Sequence, residues 1–198
     1  MTLIPTLPQP LVLASSSQYR RQVLERLGVS FEVDAPTFDE RSIPWQGDAR
    51  SLVTEIAFGK ARSVLAQNPD KYVLGGDQVV HLDGEILGKP GDEDEAVRQL
   101  KKLSGRVHEL VTATVLVGPM QGDERFATMI HSMTMRHLDE NALRSYVQRD
   151  RPIDCAGSYR IESLGSALFS TMHGPDHTGI IGLPVTHVIS LMESALTP

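Results

Sequence analysis

A run of three serines followed closely by two arginines lies near the start of the chain, between Ser15 and Arg21. The serines directly follow the apolar run 11–14, which predicts a buried strand, and they precede apolar residues at helical spacing. If Ser17 lies near the helix N-cap, backbone N–H groups and hydroxyls converge there, including the hydroxyl of Ser15. Arg20 and Arg21 add two guanidinium groups, so the segment suits a bound phosphate. The alternative is that a serine only caps the helix and the arginines are solvated.

Lys60 lies on the apolar face of a predicted helix. Asp48 is a suitable N-cap for this helix, whose apolar residues include Ile56 and Val64, each four positions from Lys60. An ammonium group on such a face either extends to solvent or meets an anion, because burying it without a partner is costly. Both interpretations are open from the sequence.

A β-hairpin is predicted around Asp77. Asp83–Gly84 is a strong two-residue turn signal, and the register it sets brings Gln78 opposite Lys89, next to Asp77. Gly75–Gly76, just before, would let a ligand or another part of the backbone approach closely. Strict alternation aims Asp77 at the face opposite Gln78 and Lys89, so joint action requires a bulge or a strong twist. The alternative is an exposed aspartate at the end of a strand.

These segments together supply four basic residues and one central carboxylate, and an acidic pair, Asp39–Glu40, lies in the irregular stretch between residues 34 and 47. A polyphosphate requires cations around its oxygens. Its hydrolysis requires a carboxylate-bound divalent metal ion or a base that activates water. The residue types therefore indicate polyphosphate chemistry better than any other class of reaction.

Other catalytic patterns are absent from the sequence. It contains no Gly-x-Ser-x-Gly nucleophile elbow, no Walker A sequence and no dinucleotide-binding glycine pattern. His173 and His177 have the spacing of metal ligands on a helix, but Gly174–Pro175 between them disfavours that helix. Cys155 has no adjacent base, which favours a packed thiol over a nucleophile.

Strand-like and helix-like patterns alternate along the chain, which favours an α/β fold. Long strands are predicted over 107–117 and 126–136, and a strand that begins at residue 72 is followed by a returning strand at 85–87. Helices are predicted after Asp92, over 139–148 and from Pro184 onward. No internal repeat, low-complexity tract or linker separates these elements, so residues 1–198 are expected to form a single domain.

The composition is that of a globular protein, with 198 residues of which 40% are hydrophobic and 22% are charged. No apolar run approaches the roughly 20 residues of a membrane-spanning helix, and a single cysteine cannot form an intramolecular disulfide. The segment 1–10 lacks the basic start of a secretory signal, so we expect a cytoplasmic location and no membrane partner. The net charge of −6 gives no reason to expect a stable nucleic-acid partner.

The order and spacing of these residues resemble the Maf family of nucleoside triphosphate pyrophosphatases, from residue 11 to about residue 192. Each motif is short, but their combination is specific. The matching motifs are Leu-Ala-Ser-Ser-Ser-Gln-Tyr-Arg-Arg at 13–21, Phe-Asp-Glu at 38–40, Lys-Ala at 60–61, Gly-Asp-Gln-Val at 76–79, Leu-Asp-Gly-Glu-Ile-Leu-Gly-Lys-Pro at 82–90, Ser-Gly at 104–105 with His108, Cys-Ala-Gly-Ser-Tyr-Arg-Ile-Glu at 155–162, and Gly-Leu-Pro at 182–184.

The resemblance implies a Maf/inosine-triphosphatase-like α/β fold, with an elongated mixed β-sheet flanked by helices around a central cleft. The family is often dimeric, so a homodimer is one expectation. The implied reaction is hydrolysis of a nucleoside triphosphate to a monophosphate and diphosphate, with a divalent metal cation such as Mg²⁺ or Mn²⁺. Asp77 would be the proton acceptor, and Glu40 with Asp77 would hold the metal. The phosphates would be held by the hydroxyl and basic side chains of Ser15, Ser17, Arg20, Arg21, Lys60 and Lys89.

One position departs from the family. Gln18 stands where the family usually has proline, in the first phosphate-binding turn. Because proline fixes φ, this turn is expected to be looser here.

Three positions resemble the family members that act on 7-methyl-GTP. Members that take dTTP and UTP typically have arginine, threonine and glutamine where this chain has Tyr19, Gln78 and Glu162. A positively charged 7-methylguanine ring would stack on the ring of Tyr19, which is worth about 0.5–2 kcal/mol. Glu162 could accept hydrogen bonds from N1 and N2 of the base. Alternatively, Tyr19 only covers the helix start and Glu162 is a surface residue.

The expected function is therefore conversion of 7-methyl-GTP to 7-methyl-GMP and diphosphate, a housecleaning role against modified nucleotides. Two alternatives are open. The first is the same chemistry on dTTP, UTP or modified pyrimidine triphosphates. The second is a nucleotide-binding regulator of cell division.

Overall fold

The computed structural model describes residues 3–197 and shows an α/β fold, as predicted. The strands of this part of the chain are β1 Leu11–Ala14, β2 Glu32–Asp34, β3 Tyr72–Leu82, β4 Glu85–Leu87, β5 Val107–Val117, β6 Glu124–Met135 and β7 Phe169–His173. The α-helices are α1 Gln18–Arg26, α2 Ala49–Leu65, α3 Glu93–Leu103, α4 Glu140–Asp150, α5 Thr178–Ile181 and α6 Val185–Ala195. Short 3₁₀ helices cover Glu40–Ser42, Ala156–Ser158 and Leu164–Leu168. Over residues 3–197, no helix has both the length and the apolar character needed to cross a membrane.

The strands form one mixed sheet in the order β2–β1–β3–β5–β6–β7, with β4 paired to β3. β1 runs parallel to both of its neighbours, with Leu13 opposite Val33 on one side and Leu74 on the other. β3–β4 and β6–β7 are antiparallel pairs. All four residues of β1 are buried, which explains its continuous apolar sequence. The mixed sheet with helices that the resemblance implied is confirmed.

The described residues fall into two compact units. The first contains the residues up to Asp77, Thr112–Met129 and the residues from Asp176 onward, and the second contains Gln78–Val111 and Ile130–Pro175. β1, β2, α1, α2, α5 and α6 lie wholly in the first unit, and β4, α3, α4 and β7 lie wholly in the second. The strands β3, β5 and β6 contribute residues to both.

The core of the first unit lies between the central strands and the helices α1 and α6. Leu13 and Leu74 of the sheet pack with Leu24 of α1 and with Val188 and Met192 of α6, and all five are almost fully buried. Full burial of one such side chain contributes about 1.5–3 kcal/mol. The apolar side of α1 is therefore held firmly on the sheet, and its other side carries Tyr19, Arg20 and Arg21.

In the second unit, α3 packs against α4, and its apolar residues are buried. Ala96, Val97, Leu100 and Leu103 of α3 are all buried. The spacing of these residues places them on one side of a helix, and the structure confirms that this side faces the core.

A buried group of rings also lies in the second unit. The rings of Tyr159 and Phe169 are 4.9 Å apart at an interplanar angle of 77°, and Nε2 of His108 lies 3.2 Å from the hydroxyl of Tyr159. His108 is only 2% exposed. Burial lowers the pKa of His108 to about 4, so its imidazole is neutral near pH 7.

The helix starts agree with the capping signals in the sequence. Oδ1 of Asp48, Asp92 and Asp139 accepts hydrogen bonds from backbone N–H groups in the first turn of α2, α3 and α4, at 3.0, 2.7 and 2.8 Å. The last helix begins at Val185, one position after the predicted start, and Pro184 is its N-cap residue.

The predicted hairpin turn is confirmed. Asp83 and Gly84 have φ values of 49° and 83°, as a two-residue turn between antiparallel strands requires, and Leu82 pairs with Glu85.

The predicted pairing of Gln78 with Lys89 is wrong, because the β3–β4 ladder ends where Val80 pairs with Leu87. Pro90 has no N–H group to offer to a ladder. The backbone of this segment bonds elsewhere in the second unit. The N–H of Gly91 donates to Ile153 O at 3.0 Å, and Gly88 O accepts from the N–H of Gly157 at 3.3 Å.

Candidate active site

Lys60 lies between two carboxylates in the first unit. Its Nζ donates to Asp77 Oδ1 at 2.7 Å and lies 2.8 Å from Glu40 Oε1. Lys60 and Asp77 are 8% and 6% exposed, so both charges are largely removed from water. Of the two interpretations of Lys60, the one in which it meets an anion is confirmed. The interpretation of Asp77 as an exposed aspartate is wrong.

Gly75 allows the helix of Lys60 to lie close to the strand of Asp77. A Cβ atom on Gly75 would lie 2.9 Å from Ala57 O and 3.0 Å from the Cβ of Ala61, both on α2. The absence of a side chain at Gly75 therefore lets α2 lie directly on β3. The close approach that the sequence predicted at Gly75–Gly76 is confirmed, and the partner at Gly75 is the helix backbone.

Arg20 extends from α1 across the same strand. Its Nε donates to Gly182 O at 2.9 Å, and one terminal nitrogen lies 3.4 Å from Ser15 Oγ. The loss of hydration lowers the pKa of this guanidinium, while the nearby charges of Asp77 and Glu40 act in the opposite direction. Arg20 therefore belongs to the same group of charges as Lys60.

The acceptor of Arg20 is held in place by Asp176. Its Oδ1 accepts from the N–H and hydroxyl of Thr178 at 2.9 and 2.6 Å, and its Oδ2 accepts from the N–H and hydroxyl of Thr186 at 2.9 and 3.0 Å. These bonds join the start of α5 to the first turn of α6. Gly182, with a φ of 108°, makes the turn between the two helices. The Gly182 carbonyl is thus a fixed acceptor.

The serine–arginine segment divides into two parts. Ser17 Oγ accepts from the N–H of Arg20 at 3.4 Å, so Ser17 is the N-cap of α1, and Ser15 Oγ accepts from the N–H of Ser17 at 3.1 Å. Ser15 and Arg20 thus lie together at the start of α1. Arg21 is on the exposed side of the helix, where its Nε donates to Glu25 Oε1 at 2.8 Å. The structure therefore groups Arg20, and not Arg21, with Lys60.

Asp77 is the electrostatic centre of this group. Burial raises the pKa of its carboxyl, and the charges of Lys60 and Arg20 oppose that rise. The result is a carboxylate with a raised pKa beside two cations. A general base is most effective when its pKa lies closer to the working pH, so the shift suits a proton acceptor.

The other residues predicted from the sequence are distributed as follows. Tyr19 is half-buried on α1 in the first unit. Gln78, Lys89 and Glu162 belong to the second unit, where Gln78 is half-buried and Lys89 and Glu162 are exposed.

The loop of Glu162 has a closely constrained backbone. The N–H groups of Ser163 and Gly165 both donate to Arg160 O, at 3.2 and 2.9 Å, and a side chain at Gly165 would collide with the backbone of Arg160. Ser163 Oγ donates to Asp150 Oδ1 at 2.5 Å. Glu162 is therefore carried on a fixed turn.

The contribution of Gly182 was not predicted from the sequence. The bond between Arg20 and its carbonyl joins residues 162 positions apart. A backbone acceptor has no side-chain signature, and the Gly-Leu-Pro motif was the only local sign of it.

The carboxylates suit a hard divalent cation. Within residues 3–197, no group of three or more His, Cys, Asp or Glu side chains could hold a metal ion by itself. Glu40 and Asp77 nevertheless direct oxygens at one and the same cationic nitrogen of Lys60. Mg²⁺ is commonly bound by one or two carboxylates, with waters and substrate phosphates completing its shell. The donor set therefore fits such an ion.

Comparisons with known proteins agree with the motifs of the sequence. A family model described as Maf-like protein matches residues 10–195. The chain is 40% identical over 198 residues to a 7-methyl-GTP pyrophosphatase of Nitrosococcus oceani, with 100% of this chain and 99% of the relative covered. It is 38% identical over 182 residues to a 7-methyl-GTP pyrophosphatase of Pseudomonas aeruginosa, with 92% and 94% covered. Among solved structures, the Ham1 protein of Staphylococcus aureus matches with a TM-score of 0.45 at 19% identity, over 64% of this chain and 72% of that chain.

Proposed function

The chain belongs to the Maf family, and from that membership together with the charges around Lys60 we propose that it hydrolyses 7-methyl-GTP to 7-methyl-GMP and diphosphate. The single observation that carries the chemistry is the buried Lys60–Asp77 pair with Glu40 and Arg20 around it. This arrangement supplies both cations for phosphate oxygens and a carboxylate for water. The relatives named for this activity cover nearly the full length of the chain.

In this proposal the phosphates are bound by basic side chains and by the start of α1. Arg20 is fixed at its Nε by Gly182, so its remaining nitrogens can bind phosphate oxygens. Lys60 would contribute its ammonium once a triphosphate replaces a carboxylate as its partner. Ser15 and Ser17 lie at the N-terminus of α1, where backbone N–H groups favour an anion. Arg21 and Lys89, both exposed, would complete the set.

Glu40 and Asp77 would hold the divalent cation, which when bound neutralises charge on the phosphate oxygens. Asp77 would also orient a water molecule and accept its proton. The water oxygen attacks the α-phosphorus, the bond from that phosphorus to the oxygen of the β-phosphate breaks, and diphosphate leaves. Lys60 engages Oδ1 of Asp77, so Oδ2 is the oxygen that we assign to the proton.

Base selection would depend on Tyr19, Gln78 and Glu162. Methylation at N7 gives guanine a positive ring, which an aromatic face and a carboxylate both favour. Glu162 is carried on a turn that Arg160 and Asp150 hold. A backbone that is already ordered lowers the cost of ordering the carboxylate when a base binds.

The wider parts of the proposal follow from the family. One family model matches residues 10–195 without interruption, which supports a single functional domain for residues 1–198. We infer a cytoplasmic location and the capacity to form a homodimer, with no nucleic-acid or membrane partner.

A panel of nucleotides tests the proposal directly. Diphosphate release is measured with 7-methyl-GTP, GTP, dTTP and UTP, each with Mg²⁺ and with Mn²⁺. We expect the highest kcat/KM for 7-methyl-GTP. Preference for a pyrimidine triphosphate would contradict the roles of Tyr19 and Glu162. Tight binding of triphosphates without cleavage would contradict hydrolysis and favour a regulatory protein.

A further inference from the structure

The segment that carries Glu40 lies on one turn of α2 and touches it at three points. The N–H of Thr37 donates to Ser63 Oγ at 3.3 Å, the ring of Phe38 lies against Gly59, and Glu40 Oε1 is 2.8 Å from Lys60 Nζ. Ser63 Oγ also donates to Lys60 O at 2.8 Å, so its hydrogen points to its own helix and its oxygen accepts from Thr37.

Phe38 occupies the space that a side chain at position 59 would need. A Cβ atom on Gly59 would lie 2.5–2.6 Å from three ring carbons of Phe38, whereas real Cβ contacts stay above 3.0 Å. The backbone at Gly59 is ordinary helix in the middle of α2, so no positive φ requires a glycine there. Glycine weakens a helix interior relative to alanine. The contact with Phe38 accounts for this glycine.

The Glu40 segment is exposed, which weakens the ion pair that Glu40 makes with Lys60. All three residues of its 3₁₀ helix, Glu40–Ser42, are exposed, and 48% of the Glu40 side chain is accessible to solvent. An ion pair with one exposed partner contributes little by itself, because water screens it and both side chains lose freedom. An apolar contact at residue 38, two positions before Glu40, restricts the backbone of this segment before the Glu40–Lys60 pair forms. Phe38 is half-buried and supplies that anchor.

We propose that Phe38, seated on Gly59, is a positioning residue that holds the Glu40 carboxylate against Lys60. The effect of Phe38 on turnover rests on the proposed function. The positioning itself is a property of the ligand-free protein.

The first test is hydrogen exchange across residues 37–42 in the full-length protein. In Gly59→Ala the new methyl group expels the ring, and in Phe38→Ala the ring is lost. Both variants are expected to exchange about tenfold faster in this segment, since local opening there becomes easier. The melting temperature of Gly59→Ala should change little, because the helix propensity gained with alanine offsets the packing lost with the half-buried ring. Glu55→Ala, on the exposed face of the same helix, is the control and should leave the exchange unchanged.

A double-mutant cycle shows whether the two residues act through each other. Without a ring at position 38, the methyl group at position 59 meets no obstacle. Phe38→Ala/Gly59→Ala should therefore exchange no faster than Phe38→Ala alone. Additive effects would overturn the proposal, and so would unchanged exchange in Gly59→Ala.

The third measurement concerns the carboxylate. If the wild type hydrolyses nucleotides, Gly59→Ala should raise the Mg²⁺ concentration for half-maximal activity about tenfold, as loss of a supporting group does. In a Glu40→Gln background the same substitution should add nothing, and a further loss there would overturn the role of Phe38 toward Glu40. An inactive wild type with faster exchange in both variants would refute the proposed function and support the positioning.

Discussion

Replacing Lys60 with methionine removes an ammonium group that two carboxylates share, and it keeps most of the buried stem. The Asp77 side chain is 9% exposed and would stay buried, with Arg20 as the remaining cation that acts on it. Breaking a buried ion pair from one side costs about 3–5 kcal/mol. The half-exposed Glu40 adds little, and Arg20 compensates in part. We therefore expect a loss of about 3 kcal/mol in the free energy of unfolding.

Urea unfolding followed by circular dichroism measures this loss, and thermal unfolding provides a second measure. For a chain of this size, about 3 kcal/mol corresponds to a fall of about 6–12 °C in Tm. Lys71→Met is the matched control. Its ammonium lies 2.9 Å from Glu32 Oε2, but the Glu32 side chain is 63% exposed. Such a surface pair contributes less than about 1 kcal/mol.

Equal losses in Lys60→Met and Lys71→Met would refute the reasoning, because burial would then make no difference. A second check is Lys60→Met/Asp77→Asn, which removes the charge left without a close partner. It should be more stable than Lys60→Met alone, and a double variant of equal or lower stability would contradict the assignment of the loss to Asp77.

Three other outcomes are expected. Asp77→Asn should keep the fold and lose turnover on the order of 10²-fold or more, measured as diphosphate release, and near-normal turnover would remove Asp77 as proton acceptor. In Arg20→Lys the single ammonium group cannot bind Gly182 O and a phosphate at the same time as the planar guanidinium can, so KM should rise about tenfold in steady-state kinetics with kcat less affected. An unchanged KM would show that Arg20 does not bind the phosphates. Because folded His108 binds a proton only below about pH 4 and the unfolded chain binds one below about 6.5, stability should fall by about 3 kcal/mol as the pH drops through that window. His108→Phe should flatten that dependence in urea titrations at several pH values, and an identical pH profile would exclude His108 as its source.

Local signals in the sequence predicted most of the elements. The aspartate N-caps, the Asp83–Gly84 turn and the four-residue spacing around Lys60 each depend on neighbours within one turn of helix or one hairpin. Such signals are contained in short segments, and they agree with the structure. The position of Lys60 on an apolar face left two interpretations open, extension to solvent or contact with an anion, and only the structure shows that the second is correct.

Contacts between distant segments could not be predicted in this way. The acceptor of Arg20 is a backbone carbonyl, that of Gly182, which no side chain reveals in the sequence. The contact of the Phe38 ring with Gly59 depends on the path of an irregular loop. The pairing of Gln78 with Lys89 failed for a related reason. The register of the turn was correct, but the ladder ends at Leu87, and the segment after it bonds to residues 153–157 instead. The end of a strand depends on whether its backbone groups bond to the neighbouring strand or to residues distant in the sequence.

The bond from Arg20 to Gly182 has a consequence for the newly made protein. Translation proceeds from Arg20 through 162 more residues before its carbonyl partner exists, and Thr186, which helps to fix that turn, comes later still. A chain still attached to the ribosome therefore presents this guanidinium without its anchor. If Arg20 binds phosphate as proposed, its binding geometry is complete only after residues 182–186 have been made and have packed near α1.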